Sequence, residues 1–226
     1  MDAEKVQVIY NGIDLDTFSP ERDPGNLRSE LSIPSTARLL TCIGQIGMRK
    51  GTDFVIKSFL ELAEQFADIH LLLIGMRNSV KQEAIEYESN CHQLSENSAH
   101  CDRIHWLGRR SDVRKILSDT TLVLHGARQE PLGRVLLESN AVGVPYIATN
   151  VGGTSEIVAE SSSELLLCEI DSVKDMAAKA HRLLKDPVFS SSIAAELRKM
   201  AVDRFDVNRC AAELDSLYRR LTRIVN

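Results

Sequence analysis

The residues with the clearest chemical potential lie in three glycine-containing loops, each of which follows a short apolar run. The first loop extends from Gly44 to Gly51. Its small residues let the backbone approach a ligand, and the ammonium group of Lys50 offers a point charge for a phosphate. The glycine spacing matches neither G-x-G-x-x-G nor G-x-x-x-x-G-K-[ST], so the common dinucleotide and P-loop sites are poor matches. An ordinary glycine turn with a solvated lysine is the alternative.

The second loop, from His125 to Glu138, is more specific. Gly133 precedes an apolar segment of helical period, which predicts a helix start whose free amides can bind a phosphate. Two carboxylates beside a phosphate would repel it unless they face hydroxyl groups. We therefore predict that Glu130 accepts hydrogen bonds from a sugar and Glu138 from a ribose. The alternative is a plain helix start, where Glu130 favours the helix dipole and Glu138 is exposed.

The third loop places the paired glycines Gly152 and Gly153 ahead of Ser155 and Glu156. This pattern describes a tight turn into a helix. A turn and a cap explain the loop as well as direct ligand contact does, so Glu156 is not included among the predicted site residues.

The elements that position these loops are predicted from short apolar runs that alternate with longer segments of helical period. This pattern indicates a Rossmann-like α/β fold with a doubly wound parallel sheet and helices on both faces, in which ligands bind beyond the carboxyl ends of the strands. The predicted strands are Leu39 to Ile43, His70 to Ile74, Ile104 to Leu107, Leu122 to Leu124, Tyr146 to Ala148 and Leu165 to Cys168. The predicted helices are Thr52 to Phe66, Ser79 to Leu94, Val113 to Leu117, Arg134 to Val142, Ser155 to Glu160 and Val173 to Leu184.

We divide the chain into three parts. Residues 1–35 form an opening strand at Val8 to Tyr10 and an exposed connector over Ser19 to Ser35, which contains three prolines. Residues 36–187 form the sheet domain. Residues 188–226 form two helices that break near Phe205 and Asp206.

Composition excludes several classes of function. The 226 residues are 43% hydrophobic and bury one substantial core, and a formal charge of −5 predicts no nucleic-acid partner. Five cysteines without C-x-x-C spacing fit a reducing cytoplasm. No apolar run reaches the length of a membrane span, so we expect a cytoplasmic protein without a transmembrane segment; the full-length enzyme would at most associate with membranes peripherally.

Together the loops resemble the carboxyl-terminal domain of GT-B retaining glycosyltransferases of the glycogen synthase, sucrose synthase and mannosyltransferase type, the glycosyl transferases group 1. The resemblance covers almost the whole chain, and its strength lies in the order and spacing of the motifs. The matching segments are Val8 to Asp14 with Phe18 and Pro20, Gly44 with Lys50 and Gly51, Leu73 to Gly75, Ile104 to Gly108, Glu130 to Glu138, Gly143 to Ala148, and Val151 to Val158.

The resemblance implies two catalytic residues, Lys50 on the donor diphosphate and Glu130 on the donor sugar, with Glu138 binding the ribose. It implies a UDP-, GDP- or ADP-sugar donor, transfer with retained anomeric configuration, and no metal requirement. By the same resemblance, backbone around Pro131 to Val135 meets sugar and phosphate, and Leu107 to Arg110 border the base. The other implied donor-binding residues are Gly44, Gln45, Arg49, Leu107, Arg109, Arg110, Pro131, Leu132, Gly133, Arg134 and Val135.

The sequence departs from the family pattern in four places. Gln45 replaces a common arginine, Leu132 a common phenylalanine, His125 with Gly126 the usual Pro-Ser pair, and Glu164 with Leu165 a frequent glycine. The lost charge at Gln45 should weaken neutralisation of the diphosphate, and Arg49 is a hypothetical substitute.

The resembling enzymes also have an amino-terminal domain that holds the acceptor, which is a glycan, a lipid or a small molecule. Because transfer needs both reactants in one closed site, we expect this fragment to bind a nucleotide sugar weakly and to turn over little or nothing. The last helix, with Tyr218 and Arg219, is expected to pack toward the missing domain.

Several alternatives stay open. A degenerate module that binds nucleotide sugars without transfer is favoured slightly by Gln45, and a sugar-nucleotide epimerase shares the architecture but needs a second domain. A nicotinamide-dependent oxidoreductase lacks its dinucleotide fingerprint. A structural zinc ion would use the dipeptides Cys91-His92 and His100-Cys101, whose spacing is not a standard ligand pattern.

Overall fold

The computed structural model describes residues 6–20 and 25–224. Within these residues six parallel strands form one sheet in the order β3-β2-β1-β4-β5-β6, which confirms the predicted Rossmann-like fold. The strands are β1 (Arg38–Ile43), β2 (Ile69–Ile74), β3 (Ile104–Gly108), β4 (Leu122–His125), β5 (Tyr146–Thr149) and β6 (Leu167–Cys168). The helices are α1 (Leu27–Glu30), α2 (Thr52–Ala63), α3 (Gln82–Glu96), α4 (Val113–Asp119), α5 (Arg134–Val142), α6 (Glu160–Leu166), α7 (Val173–Lys185), α8 (Pro187–Arg204) and α9 (Val207–Ile224).

The sheet is covered on both faces, which explains why its central strands are continuous apolar runs. Every residue of β2, β4 and β5 is buried. The main core contains α2, which buries Phe54 and Phe59 and packs against α7. A smaller cluster that includes Leu39, Leu72 and Ile116 fills the space on the other side of the sheet.

The strand order reverses between β1 and β4, which lie side by side at the centre of the sheet. In open α/β sheets the crevice at such a point, beyond the carboxyl ends of the strands, is where ligands bind. The loop after β1 and the loop after β4 therefore meet. Their backbones are in direct contact, because a Cβ atom on Gly51 would lie 1.9 Å from the carbonyl oxygen of Gly126.

The predicted opening strand is wrong. Val8 to Tyr10 belong to no strand, and the segment joins the molecule instead through an isolated bridge between Ile13 and Asp206. The Ile13 amide donates to the Phe205 carbonyl at 2.7 Å, and the Val207 amide donates to the Ile13 carbonyl at 3.0 Å. Within this run Val8 is exposed, and Tyr10 packs edge-on against Phe205.

The predicted exposed connector also needs correction over its described residues, since residues 21–24 lie outside them. Residues Leu27–Glu30 form α1, and Leu27 is buried in the smaller core cluster. The Leu27 amide donates to the carboxylate of Asp119 at 3.1 Å. This part of the connector is therefore anchored to α4 rather than exposed.

Near residue 160, two predicted element boundaries differ from those in the structure. The helix predicted from Ser155 is a 3₁₀ turn at Gly152–Ile157, and α6 follows at Glu160–Leu166. The strand predicted from Leu165 begins at Leu167, because α6 continues through Leu166. A run of leucines fits a buried strand and a buried helix end equally well, so periodicity does not separate the two.

The last two helices differ in how they are buried. Helix α8 contributes Ile193, Leu197 and Ala201 to the main core, and the fully buried Phe205 follows it. Helix α9 leaves Leu214, Tyr218 and Leu221 exposed. No helix among residues 6–20 and 25–224 is long and apolar enough to cross a membrane.

Candidate functional site

The loop after β1 is built to place Lys50 at the switch point. A 3₁₀ turn at Met48–Lys50 follows the strand, and Gly51 then adopts a left-handed conformation with φ of 64° before α2 begins. The Lys50 amide donates to the Gly47 carbonyl at 2.9 Å. Because left-handed backbone and the close approach to Gly126 both exclude a Cβ atom, glycine is required at position 51.

The loop after β4 brings Glu130 to the same point. The Glu130 carboxylate forms an ion pair with the Lys50 ammonium group, and the Lys50 and Glu130 side chains are only 20% and 8% exposed. His125, the last residue of β4, is buried beside this ion pair. Its Nε2 atom lies 3.1 Å from the same carboxylate oxygen of Glu130. An ionised carboxylate only accepts hydrogen bonds, so Nε2 carries the proton and donates.

The charges of this cluster are well defined. Burial alone would raise the pKa of Glu130, but hydrogen bonds from His125 and Lys50 outweigh burial and lower that pKa to about 2. Burial lowers the pKa of His125 and outweighs the hydrogen bond to Glu130, which favours a neutral imidazole. The site therefore holds an ionised carboxylate between a cationic and a neutral donor.

The lowered pKa of Glu130 predicts an acid-sensitive contribution to stability. A folded-state pKa of about 2, below the ordinary 4.5, stabilises the folded chain above about pH 4.5, and this contribution disappears as the pH falls through about 2. Urea unfolding of the wild-type chain and of Glu130→Gln measures it. The stability advantage of the wild type should shrink steadily as the pH falls from about 4.5 to about 2. An advantage that does not change with pH contradicts the lowered pKa of Glu130.

Helix α5, whose start is the predicted phosphate-binding element, follows Glu130 in the chain. It begins at Arg134 with Gly133 as its N-cap, in the predicted place, and the first amides of a helix have no partner within it. Glu138 lies one turn further along α5, and its side chain is 14% exposed. A carboxylate oxygen of Glu138 lies 3.7 Å from a guanidinium nitrogen of Arg134. Burial raises the pKa of Glu138, and the neighbouring Arg134 opposes this shift.

The third loop supports the second rather than adding groups to the site. A Cβ atom on Gly152 would lie 2.0 Å from the Glu130 carbonyl oxygen, and one on Gly153 would lie 2.3 Å from the Pro131 carbonyl oxygen. The Gly153 amide also donates to both carbonyls, at 3.2 and 3.1 Å. Glu156 accepts a hydrogen bond from the Tyr10 hydroxyl and so anchors the amino-terminal segment.

The predicted residues at the end of β3 fall into two groups. Arg109 and Arg110 line a cleft of about 330 Å³ together with Gly44 and Gln45, so these four are brought together. Leu107 packs against the smaller core cluster instead.

The guanidinium group of Arg110 has carboxylate partners of its own. It donates to Glu30 at 2.5 Å and to Asp112 at 2.7 Å.

The remaining predicted residues lie around the ion pair. Gln45 and Arg49 line a second cleft of about 360 Å³ beside Lys50. Leu132 and Val135 are half-buried and pack partly against the main core. The larger clefts, of about 880 and 620 Å³, lie elsewhere. The second of these is at the opposite end of β1, where Arg28 and Arg38 are already bonded to aspartates.

Two residues of this region were not predicted as site residues. His125 is the second hydrogen-bond donor to Glu130, and Arg128 bridges the loops beneath Lys50. A histidine at the end of a buried strand, five residues before a glutamate, is a usable sequence signal for the first. The partners of Arg128 are distant in sequence, so no local pattern indicates them.

The cysteines and histidines of the zinc hypothesis do not converge. Among the described residues no group of three or more His, Cys, Asp or Glu side chains is arranged to hold a metal ion. Cys91 is buried in the core, His92 stacks on Trp106, and His100 contacts Glu64 at 2.8 Å. All five cysteines are free thiols.

Comparisons with known proteins agree with this architecture. The model of the family "Glycosyl transferases group 1" matches residues 24–203. The chain is 28% identical over 213 residues to N-acetyl-alpha-D-glucosaminyl L-malate synthase of Bacillus anthracis, covering 94% of this chain and 53% of that protein. It is 26% identical over 217 residues to the lipopolysaccharide core biosynthesis mannosyltransferase LpsB of Rhizobium meliloti, covering 96% and 61%.

Solved structures show the same fold. Anabaena Alr3699/HepE, crystallised in complex with UDP-glucose, superimposes with a TM-score of 0.83 at 25% identity, over 95% of this chain and 58% of that one. The chain thus spans a little more than half the length of these relatives. The family match covers most of the sequence and confirms the resemblance inferred from its motifs. This chain belongs to the glycosyl transferases group 1 family.

Proposed function

We propose that this chain is the donor-binding part of a retaining glycosyltransferase and that it binds a nucleoside-diphosphate sugar at the junction of β1 and β4. The observation that carries the proposal is the contact of Lys50 with Glu130 beside the start of α5. A cation and free helix amides suit a diphosphate, and a carboxylate in the same place suits sugar hydroxyls. Few other ligands need both at one point.

The transfer step assigns a role to each group. The acceptor's hydroxyl oxygen forms a bond to the anomeric carbon as the bond between that carbon and the diphosphate oxygen breaks, and the hydroxyl proton passes to the departing diphosphate. Negative charge grows on the diphosphate before that proton arrives. Lys50 and the α5 amides at Gly133 to Val135 stabilise that charge, which requires no metal ion. Glu130 accepts hydrogen bonds from the sugar, and Glu138 accepts them from the ribose hydroxyls.

The base would lie at the end of β3. Arg109 borders the cleft that also contains Gly44 and Gln45, and Arg110 lines it while bonded to Glu30 and Asp112. Leu107 lies on β3 just before these arginines, and we assign its backbone to the border of the base.

The UDP-glucose complex of HepE supports the class of donor, a UDP-, GDP- or ADP-sugar. The remaining contacts to the sugar and the phosphates are assigned to Arg49, Pro131, Leu132 and Arg134.

We further propose that acceptor binding requires a part equivalent to the other half of the relatives, of which this chain spans 53 to 61%. In this account residues 36–187 bind the donor, and the exposed face of α9 packs toward that other part. The chain alone then binds a nucleotide sugar and transfers little or nothing. We expect the protein to act in the cytoplasm.

One observation favours a second candidate, a module that binds nucleotide sugars without transferring them. Gln45 is neutral and lines both clefts, one of them together with Lys50, where a second cation would assist departure of the diphosphate. Reconstitution with the acceptor-binding half of a relative distinguishes the two, since only a transferase produces glycosylated acceptor.

The ribose assignment gives a specific test. Glu138→Gln is expected to weaken UDP binding by about tenfold, because a charged acceptor is replaced by a neutral one, and to leave binding of 2′,3′-dideoxy-UDP, which lacks both ribose hydroxyls, almost unchanged. Isothermal titration calorimetry measures both. Glu213→Gln is the matched control, because Glu213 also pairs with an arginine four residues earlier, but on the remote helix α9. Equal losses for both nucleotides would remove Glu138 from the ribose site.

A further inference from the structure

Arg128 joins three separate loops at the carboxyl end of the sheet. Its guanidinium group donates to the Met48 carbonyl at 2.8 Å, to both carboxylate oxygens of Asp53 at 2.9 and 3.0 Å, and to Asp171 at 2.9 and 3.0 Å. Met48 belongs to the Lys50 turn, Asp53 opens α2, and Asp171 lies between β6 and α7.

The backbone reinforces the same connection. The Arg128 amide donates to the Arg49 carbonyl at 2.8 Å, and the Gln129 amide donates to it at 3.3 Å. In return the Arg49 side chain donates to the Gln129 carbonyl at 3.3 Å. The residue before Lys50 is thus bonded to the residue before Glu130.

Asp53 is itself held in place. The Tyr87 hydroxyl donates to its carboxylate at 2.5 Å and accepts from its amide at 3.1 Å. Burial alone would raise the pKa of Asp53, but the hydrogen bonds from Arg128 and Tyr87 outweigh burial and lower that pKa. Arg128 therefore has a fixed and ionised partner at the start of α2.

An exposed ion pair contributes little to stability, but Arg128 and Asp53 belong to a network of several partners and are largely shielded from solvent, whereas Asp171 is half exposed. The Arg128 side chain is 24% exposed, and that of Asp53 is 23% exposed. The planar guanidinium group presents five donors spread over a rigid fork, which suits two carboxylates and a carbonyl better than the three donors that a compact ammonium group carries on one nitrogen. A lysine at this position would keep the charge and lose most of the geometry.

We propose that Arg128 is a positioning residue that holds the Lys50 turn against the Glu130 loop and so sets the relative placement of the two charged groups. It acts through other residues and is not assigned to the ligand. The consequence for donor binding rests on the proposed function, whereas the positioning itself is a property of the chain alone.

Hydrogen exchange of the chain without ligand tests the positioning. In Arg128→Lys, amides of residues 47–53 and 126–130 should exchange about tenfold faster than in the wild type, with the strands unchanged. Arg38→Lys is the matched control, because the Arg38 side chain is 25% exposed and bonds Asp68 and the Leu184 carbonyl at the other end of the sheet. Unchanged exchange in both segments, or equal acceleration throughout the strands, would overturn the proposal.

A double-mutant cycle then tests whether Arg128 acts through Lys50. Arg128→Lys should weaken UDP binding by about tenfold in the wild-type background and have little further effect when Lys50 is already alanine. Equal losses in both backgrounds contradict action through Lys50. If the wild-type chain binds no nucleoside diphosphate, the proposed function fails, and the exchange measurement still decides the positioning role.

Discussion

Lys50→Ala is expected to weaken UDP binding by about ten- to a hundredfold and to leave binding of uridine unchanged. A hydrogen bond to a charged group contributes about 1.5–3 kcal/mol, which corresponds to this range of affinity. Lys50 is only 20% exposed and pairs with Glu130, which precedes the start of α5 by four residues, so a diphosphate bound there would be partly shielded from water. Titration calorimetry at constant ionic strength gives both affinities, because salt screening would otherwise change the comparison.

The control for this prediction is Lys179→Ala. The Lys179 side chain is 21% exposed, close to the 20% of Lys50, and it pairs with Asp175 on α7. It should leave UDP affinity unchanged. A loss of uridine affinity equal to that of UDP would show that Lys50→Ala damages the site as a whole, and unchanged UDP affinity would remove Lys50 from the diphosphate.

Gly51→Ala is expected to destabilise the chain by about 3 kcal/mol or more. The new Cβ atom would lie 1.9 Å from the Gly126 carbonyl oxygen, and the φ of 64° is unfavourable for alanine. Relief of this clash requires the loops after β1 and β4 to separate, which also separates Lys50 from Glu130. Urea unfolding measures the first effect and UDP titration the second.

Gly47→Ala is the control in the same loop. Gly47 has extended backbone with φ of 174°, and a Cβ atom there would have no neighbour within 4 Å. The free energy of unfolding of Gly47→Ala should lie within about 0.5 kcal/mol of that of the wild type. If the two alanine variants are equally stable, the close contact of the loops is not a constraint on the fold.

Much of the fold could be predicted because parallel strands covered on both faces appear as short apolar runs between amphipathic helices. Helix α5 was predicted with the bounds that the structure shows, Arg134–Val142, since glycines with positive φ flank it. The same pattern wrongly predicts a strand at Val8 to Tyr10, because an apolar run alone does not show whether a segment joins the sheet. Tyr10 packs on Phe205, a contact that depends on a distant segment, and Val8 is exposed.

The site was predictable only in part. The rule that ligands bind beyond the carboxyl ends of parallel strands indicated the loops of Lys50 and Glu130. Their direct contact depends on β1 and β4 being neighbours, and strand order does not follow from periodicity. The same limit applies to Arg128, whose carboxylate partners lie 75 and 43 residues away in the chain.

The most direct test of donor binding is a titration of the isotope-labelled chain with UDP-glucose, followed through its backbone amide resonances. If the donor binds at the junction of β1 and β4, the shifts should be saturable and largest at Gly44 to Gly51 and at Gly133 to Glu138. GDP- and ADP-glucose titrations then rank the bases at the same amides. Absence of saturable shifts with all three donors, or shifts confined to the opposite end of the sheet around Thr121 and Val144, would contradict donor binding at the junction of β1 and β4.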